Sequence, residues 1–294
     1  MGANDIANLG ARADALIAER RAALAEEVTA ARIEERHARC QQCIDTIAAR
    51  TAAANLDLLV IFGDEDRTLS TDQSLPPFSL YTGTAVEMIP PRSWRVQEHL
   101  QPAMWAWYSE QREQHPVAVA LGEYLLEGLS DEDFDVASCR GQAEGMSLNT
   151  SFSFVLRRVL RGRQLPILPI VLNAQFPPNQ PTGRRCYDLG VAVGKLIAAW
   201  PSDARVGVIA SGGLSHTMVD EAYDRKVLAA LLTGDAAQVR ALPVDRSPAG
   251  TGEVRCWLGA AGALATLQMH LLAYEPCYRS IAGTGCGMAF ATWS

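Results

Sequence analysis

The chain has 294 residues and a mass of 31.8 kDa, with 48% apolar and 20% charged residues and a mean hydropathy of +0.01. That composition supplies a sizeable core and excludes a disordered, collagenous or disulfide-stapled mini-domain. A formal charge of −7 and a pI near 5.3 argue against a phosphate-tracking, nucleic-acid-binding surface, and no apolar run approaches the roughly 18 residues of a membrane span.

The first segment, from Ile6 to Ala54, is rich in Ala, Glu and Arg, has no proline and has Gly10 as its only glycine, a composition that favours helix throughout. Leu9, Leu16, Leu24 and Val28 recur at near-helical spacing, so one face packs on something. Asp57 to Phe62 is a continuous apolar run stopped by Gly63, the pattern of a buried parallel strand. Gly63-Asp-Glu-Asp-Arg67 puts three carboxylates at its end, either a solvated acidic turn or part of a site.

Leu75 to Pro91 reads as loop, followed by Trp94, Trp105, Trp107 and Tyr108, which suit core packing or a pocket wall. Val117 to Leu129 reads as helix, followed by an acidic turn at Asp131 to Asp135. Ser151 to Leu160 is apolar, and its arginines Arg157, Arg158, Arg161 and Arg163 read as a solvated helix end. Leu165 to Leu172 is a second buried strand, Asn173 to Thr182 a proline-rich loop, Arg184 to Trp200 a helix and Arg205 to Ala210 a third strand. This alternation predicts an α/β fold: a central mixed, largely parallel sheet flanked by helices, with an Ala-rich helical N-terminal arm. The division expected is an arm over 1–54 and an α/β domain over 55–294.

Seven scattered cysteines and the absence of a signal-peptide pattern read as reduced thiols in a cytoplasmic protein. His37, Cys40 and Cys43 lie within a predicted helix, where i, i+3 and i+6 do not face one ion well, so zinc is not expected. Gly283-Thr-Gly-Cys-Gly287 lacks the Lys-Ser/Thr of a phosphate loop and reads as a turn; nothing nearby in sequence gives Cys286 a base.

The five histidines are His37, His99, His115, His216 and His270, and only one sits in a catalytic context. Ser211-Gly-Gly-Leu-Ser-His216 follows a buried strand with two glycines, which let the backbone turn sharply and approach a ligand. His216 is therefore the candidate general acid or base, and Ser211, Gly212, Gly213 and Ser215 are candidate substrate contacts.

Ser-Gly-Gly-Leu-Ser-His resembles the signature of LigB-type class III extradiol dioxygenases, enzymes that open protocatechuate, gallate and dihydroxyphenylpropionate rings. Leu58 to Gly63, Leu75-Pro-Pro-Phe78, Phe134 to Ala137, Leu165 to Asn173 with Pro177-Pro178, Asp224-Arg225, Gly252-Glu253 to Trp257 and Gly283 to Trp293 agree in order and spacing. The resemblance covers roughly residues 55 to 294 and implies the same α/β fold and a small aromatic substrate.

It also implies Fe(II) held by two histidines and a carboxylate, with open positions for a catecholate and O₂. Measured against that pattern, Glu253 matches the carboxylate ligand and His216 the base, but Asp66 stands where the second ligand histidine is expected, in the turn after the strand Leu58 to Phe62. Asn149 and Thr150 stand where the resemblance places an Asp-His-Gly segment and are two further candidate substrate contacts, and the N-terminal histidine element is missing. No cofactor is expected from the residues themselves. An all-oxygen site of Asp66 and Glu253, with Asp64 beside them, would suit Mg²⁺, Mn²⁺ or Ca²⁺ better than Fe(II). Without metal the carboxylates would repel, raising the pKa of at least one, and could work with His216 in acid–base chemistry.

Three functions remain open on the sequence. The first is a LigB-fold enzyme with changed, acid–base chemistry on a small aromatic or phenolic acid. The second is a ring-cleaving dioxygenase with an altered metal site at Asp66 and Glu253. The third is a non-catalytic partner subunit of a dioxygenase complex. A homo-oligomer or a dioxygenase partner is the expected assembly.

Overall fold

The computed structural model describes residues 13–64, 74–90, 98–142, 145–244 and 250–294; Asp66 and Trp94 lie outside them. The helical arm is two pieces. Helix α1 spans Ala13–Leu24 and α2 spans Ala30–Ala53, separated by a short 3₁₀ turn. The break falls at Thr29, whose hydroxyl accepts the Arg32 backbone N–H and caps α2. Helix α2 buries Cys40, Cys43 and Ile44 against Phe290.

The main sheet has five strands in the order β5-β2-β6-β1-β7. Strand β1 (Leu58–Asp64) runs parallel to β6 (Ile167–Leu172) and to β7 (Val206–Ala210). Strand β2 (Phe78–Tyr81) is antiparallel to β6 and parallel to β5 (Ala137–Cys139), so the sheet is mixed and mostly parallel. Strands β1 and β6 are buried at every residue, which explains their unbroken apolar runs.

Successive residues of β1 face opposite helices. A Cβ on Gly63 would meet the Phe152 ring at 2.7 Å, and a Cβ on Gly259 would meet the neighbouring Phe62 at 2.6 Å. Phe152 belongs to α4 (Thr150–Phe154), which continues through a wider π turn to Leu160. Gly259 belongs to α8 (Val254–Ala263). On its outer side α8 meets α5 (Gly183–Ala199) backbone to backbone, since a Cβ on Gly190 would lie 2.0 Å from the Gly259 carbonyl oxygen. Helix α3 (Val119–Asp131) follows the two-stranded β3–β4 ribbon, Ala85–Met88 with Glu113–Pro116.

Beyond β7 come the short strand β8 (His216–Met218), then α6 (Glu221–Thr233) and α7 (Ala236–Arg240). The chain closes with a long antiparallel hairpin of β9 (Met269–Tyr278) and β10 (Thr284–Trp293). Strand β10 pairs with β8 as well as β9, forming a second sheet. Gly283-Thr-Gly-Cys-Gly287, expected as a turn, supplies the hairpin's turn only at Gly283; Thr284 onward is strand.

Of the arginines after Ser151, Arg161 is exposed as a solvated helix end requires and Arg157 and Arg163 are partly exposed, but one departs from that expectation. Arg158 is buried: its guanidinium lies 4.4 Å from the Trp105 ring centroid and donates to Gln41 Oε1 at 2.5 Å. Stacking and a hydrogen bond to the N-terminal helix draw that charge inward. Among the described residues no helix is long and apolar enough to cross a membrane.

Candidate active site

The C-terminal ends of β1, β6 and β7 open into one cavity of about 960 Å³, bounded also by α2, α8 and β10. Ligands bind at this end of parallel sheets because loops there can approach while the strands hold them rigidly. Its polar part is lined by Asp64, Ser151, Gln175, Ser211, Gly212, Gly213, His216 and Glu253.

After β7 the chain makes a turn that only glycine tolerates. A Cβ on Gly212 would sit 2.9 Å from Glu253 Cβ and from its Oε2, and one on Gly213 would sit 2.5 Å from His216 Nε2. The glycines let imidazole and carboxylate press against the backbone. Gly213 N donates to Glu253 Oε2 at 2.7 Å, and Trp257 Nε1 donates to Gly212 O at 2.9 Å. His216 Nε2 lies 3.0 Å from Glu253 Oε2. Beyond the turn, Leu214 N bonds Gly287 O and Gly287 N bonds Ser215 O, so β10 fixes the height at which His216 stands.

That pairing sets Cys286 directly opposite His216, with its Sγ 3.6 Å from Nε2 and 3.7 Å from Nδ1. Sequence reasoning left Cys286 without a base because the two residues meet only through the β8–β10 register, and no local signal carries it. Burial disfavours the imidazolium, but hydrogen bonds to Cys286 and Glu253 and the Glu253 charge outweigh it, pushing the His216 pKa up to about 11. Burial holds the Cys286 thiol above its usual range despite His216, so at neutral pH it is a thiol and Glu253 is the partner ion of the imidazolium.

Asp64, at the end of β1, is buried, and its carboxylate accepts from Ser151 Oγ and Gln175 Nε2. Asn149 and Ser215, read as substrate contacts, are turned inward. Asn149 caps α4 through Ser151 N at 2.8 Å and donates Nδ2 to the Asp64 carbonyl; Ser215 Oγ donates to Asp224 Oδ2 at 2.7 Å. Neither lines the cavity, whereas Thr150 does. A buried Arg255, which the sequence did not single out, donates to the carbonyls of Pro181 at 2.7 Å and Gly252 at 3.2 Å and so pins the loop before Glu253.

The remaining histidines whose side chains are described lie elsewhere. His37 is exposed on α2, His115 is buried with Nε2 2.8 Å from Leu165 O, and His270 is exposed on β9. Among the described residues no three His, Cys, Asp or Glu side chains converge as a metal site, and His216 is the single described imidazole in the cavity. A two-histidine, one-carboxylate iron centre therefore does not fit the described donors, and Asp66 lies outside them. Cys40, of the His-x₂-Cys-x₂-Cys run, instead has its Sγ 4.0 Å from Cys277 Sγ on the hairpin.

A mixed α/β sheet with this strand-end cavity and Ser-Gly-Gly-Leu-Ser-His turn defines a class confirmed by comparison: residues 42–285 match the family described as catalytic LigB subunit of aromatic ring-opening dioxygenase, and the chain belongs to that family. Among similar proteins, a gallate dioxygenase of Pseudomonas putida is 30% identical over 105 residues, 35% of this chain and 29% of its own. A 2,3-dihydroxyphenylpropionate/2,3-dihydroxicinnamic acid 1,2-dioxygenase of Comamonas testosteroni is 29% identical over 174 residues, 58% of this chain and 46% of its own. One of the same description from Mycobacterium ulcerans is 50% identical over 52 residues, 18% and 16% of the two chains. The matches thus span less than half the length of each relative.

Proposed function

We propose that this chain is an enzyme acting on a small aromatic or phenolic substrate, with His216 and Glu253 as its acid–base pair. The observation that carries the reading is the 3.0 Å contact between His216 Nε2 and Glu253 Oε2 at the polar end of the cavity, held by a turn with no room for a side chain. The pair is an imidazolium beside a carboxylate at neutral pH. A phenolic hydroxyl entering there meets an acceptor in Glu253 and a cation in His216 that favours its ionised form. Glu253 takes the phenolic proton and, as a carboxyl, donates back to the phenolate oxygen, while His216 protonates an atom that gains negative charge as the reaction proceeds. Ser211 and Thr150 border the same space and serve as substrate contacts. The cavity at His216 weighs against a purely non-catalytic partner subunit.

A second reading has specific support in the names of the relatives: oxygen-dependent ring opening, with a divalent ion held at Glu253 and Asp66. One experiment separates the two. Protein depleted of metal is offered gallate and 2,3-dihydroxyphenylpropionate with and without oxygen, and substrate loss and oxygen uptake are followed. Acid–base chemistry predicts turnover that survives chelation and anaerobiosis and is abolished by His216→Ala. Turnover that appears only with added metal and consumes one oxygen molecule per substrate establishes the second reading instead.

A further inference from the structure

The cavity is far larger than a single phenolic ring, and its two ends differ in character. At about 960 Å³ it stands at the upper edge of the roughly 300–1,000 Å³ typical of sites for drug-sized ligands. One set of polar groups gathers at the strand ends; most of the remaining wall is apolar, with Ile47 of α2, Val206 and Val208 of β7, and Ala291 and Trp293 of β10, and the polar Arg50, Thr51 and Thr292 interrupt it between α2 and β10, where Arg50 donates to Thr292 Oγ1 at 2.7 Å.

Strand β7 is the telling element. Its sequence, Val-Gly-Val-Ile-Ala, is as apolar as those of the fully buried β1 and β6, yet all five of its residues are only partly buried. Among the described residues it is the outermost strand of the main sheet, paired on one side only, and it carries none of the charges or prolines that usually protect a free edge. All five of its residues, at ~3.3 Å each or roughly 16 Å in total, border the cavity, while Val206, Val208, Ile209 and Ala210 also touch the core and the strand contacts α8. The polar turn follows it directly in the chain, so the apolar wall along β7 runs directly into the His216–Glu253 end.

We propose that the cavity takes an elongated amphiphile: a phenolic head at His216 and Glu253, and an apolar alkyl or aryl tail laid along β7 between α2 and β10. This rests on the reading of His216 and Glu253 as the phenol-binding end. A head group alone would leave an apolar strand wet, whereas a tail removes it from water.

The test is isothermal titration of the full chain with phenol, 4-propylphenol and 4-hexylphenol. Burial of each methylene is worth about fourfold in affinity when complete, so hexylphenol is expected to bind about a hundredfold or more tighter than phenol, at one ligand per chain. Val208→Trp and Ala291→Trp each fill the channel and are expected to collapse the hexylphenol-to-phenol ratio; the two substitutions sit on different elements, so either folded variant suffices. Equal wild-type affinities for phenol and hexylphenol overturn the tail site while leaving the head reading intact. A ratio that neither folded variant changes, or binding of several hexylphenols per chain, also overturns the tail site. Absence of binding by any phenol to folded protein overturns both readings. An aryl series, phenol against 4-phenylphenol, distinguishes an aromatic from an alkyl tail by which gains more affinity.

Discussion

Gly213→Ala tests whether the turn after β7 holds the acid–base pair together. An added Cβ would lie 2.5 Å from His216 Nε2 and 2.6 Å from Cys286 Sγ, about 1 Å inside ordinary non-bonded contact. Neither neighbour gives way easily, since Cys286 is held in β10 and the ring stands between it and Glu253. Moving the ring by about 1 Å stretches the 3.0 Å bond to Glu253 past the limit of a hydrogen bond. A hydrogen bond to a charged group contributes about 1.5–3 kcal/mol, so the His216 pKa should fall by about 1–2 units from its raised value near 11. Overpacking should also destabilise the fold by about 1–3 kcal/mol. The assay is an NMR titration of the His216 ring in wild type and variant, with urea denaturation alongside. An unchanged midpoint in folded Gly213→Ala protein would refute the claim that the glycine is there for the pair.

Glu253→Gln keeps the shape of the side chain but removes its charge, and the His216 midpoint should fall further than in Gly213→Ala; a smaller fall would show that Glu253 is not the principal partner. Gly190→Ala, which would set a Cβ 2.0 Å from the Gly259 carbonyl oxygen, should lower stability by about 3 kcal/mol or prevent folding, and a melting temperature equal to wild type would contradict the close α5–α8 packing. His115 offers a pH test. Burial holds its pKa below the ordinary value, although the bond to Leu165 O and nearby Glu113 pull the other way. The folded state thus releases a proton more readily than the unfolded chain, so this contribution is complete above pH about 6.5 and is lost as pH falls below it. The urea midpoint should drop from pH 7 to pH 5, and His115→Gln should reduce that drop; an identical drop in the variant would remove His115 as its source.

Much of the sheet is legible in the chain because buried parallel strands need both faces apolar. The antiparallel insertion of β2 against β6 is not legible, since four residues of strand carry no sign of their direction. The final hairpin is hidden for a different reason: Pro276 interrupts a run that otherwise reads as strand, and it is tolerated because β9 is, among the described residues, an edge strand of the second sheet. At the site, the double glycine and His216 stand out because they are contiguous. Cys286 and Arg255 do not, because their roles come from register and from buried carbonyls supplied by distant loops. Thr29 was readable as a helix cap, but the helix-favouring residues on either side mask the break.

The most direct measurement concerns the ionisation of a phenol in the site. 4-Nitrophenol changes colour when it loses its proton, so its absorbance against pH, free and bound, reports which form the protein prefers. A cation in direct contact lowers an acid's pKa by about 1–3 units. The account predicts a downward shift of that size on binding to the wild-type protein and its loss in His216→Asn. A shift of equal size in the folded variant, or binding with no shift at all, would contradict the assignment of His216 and Glu253 as the acid–base centre.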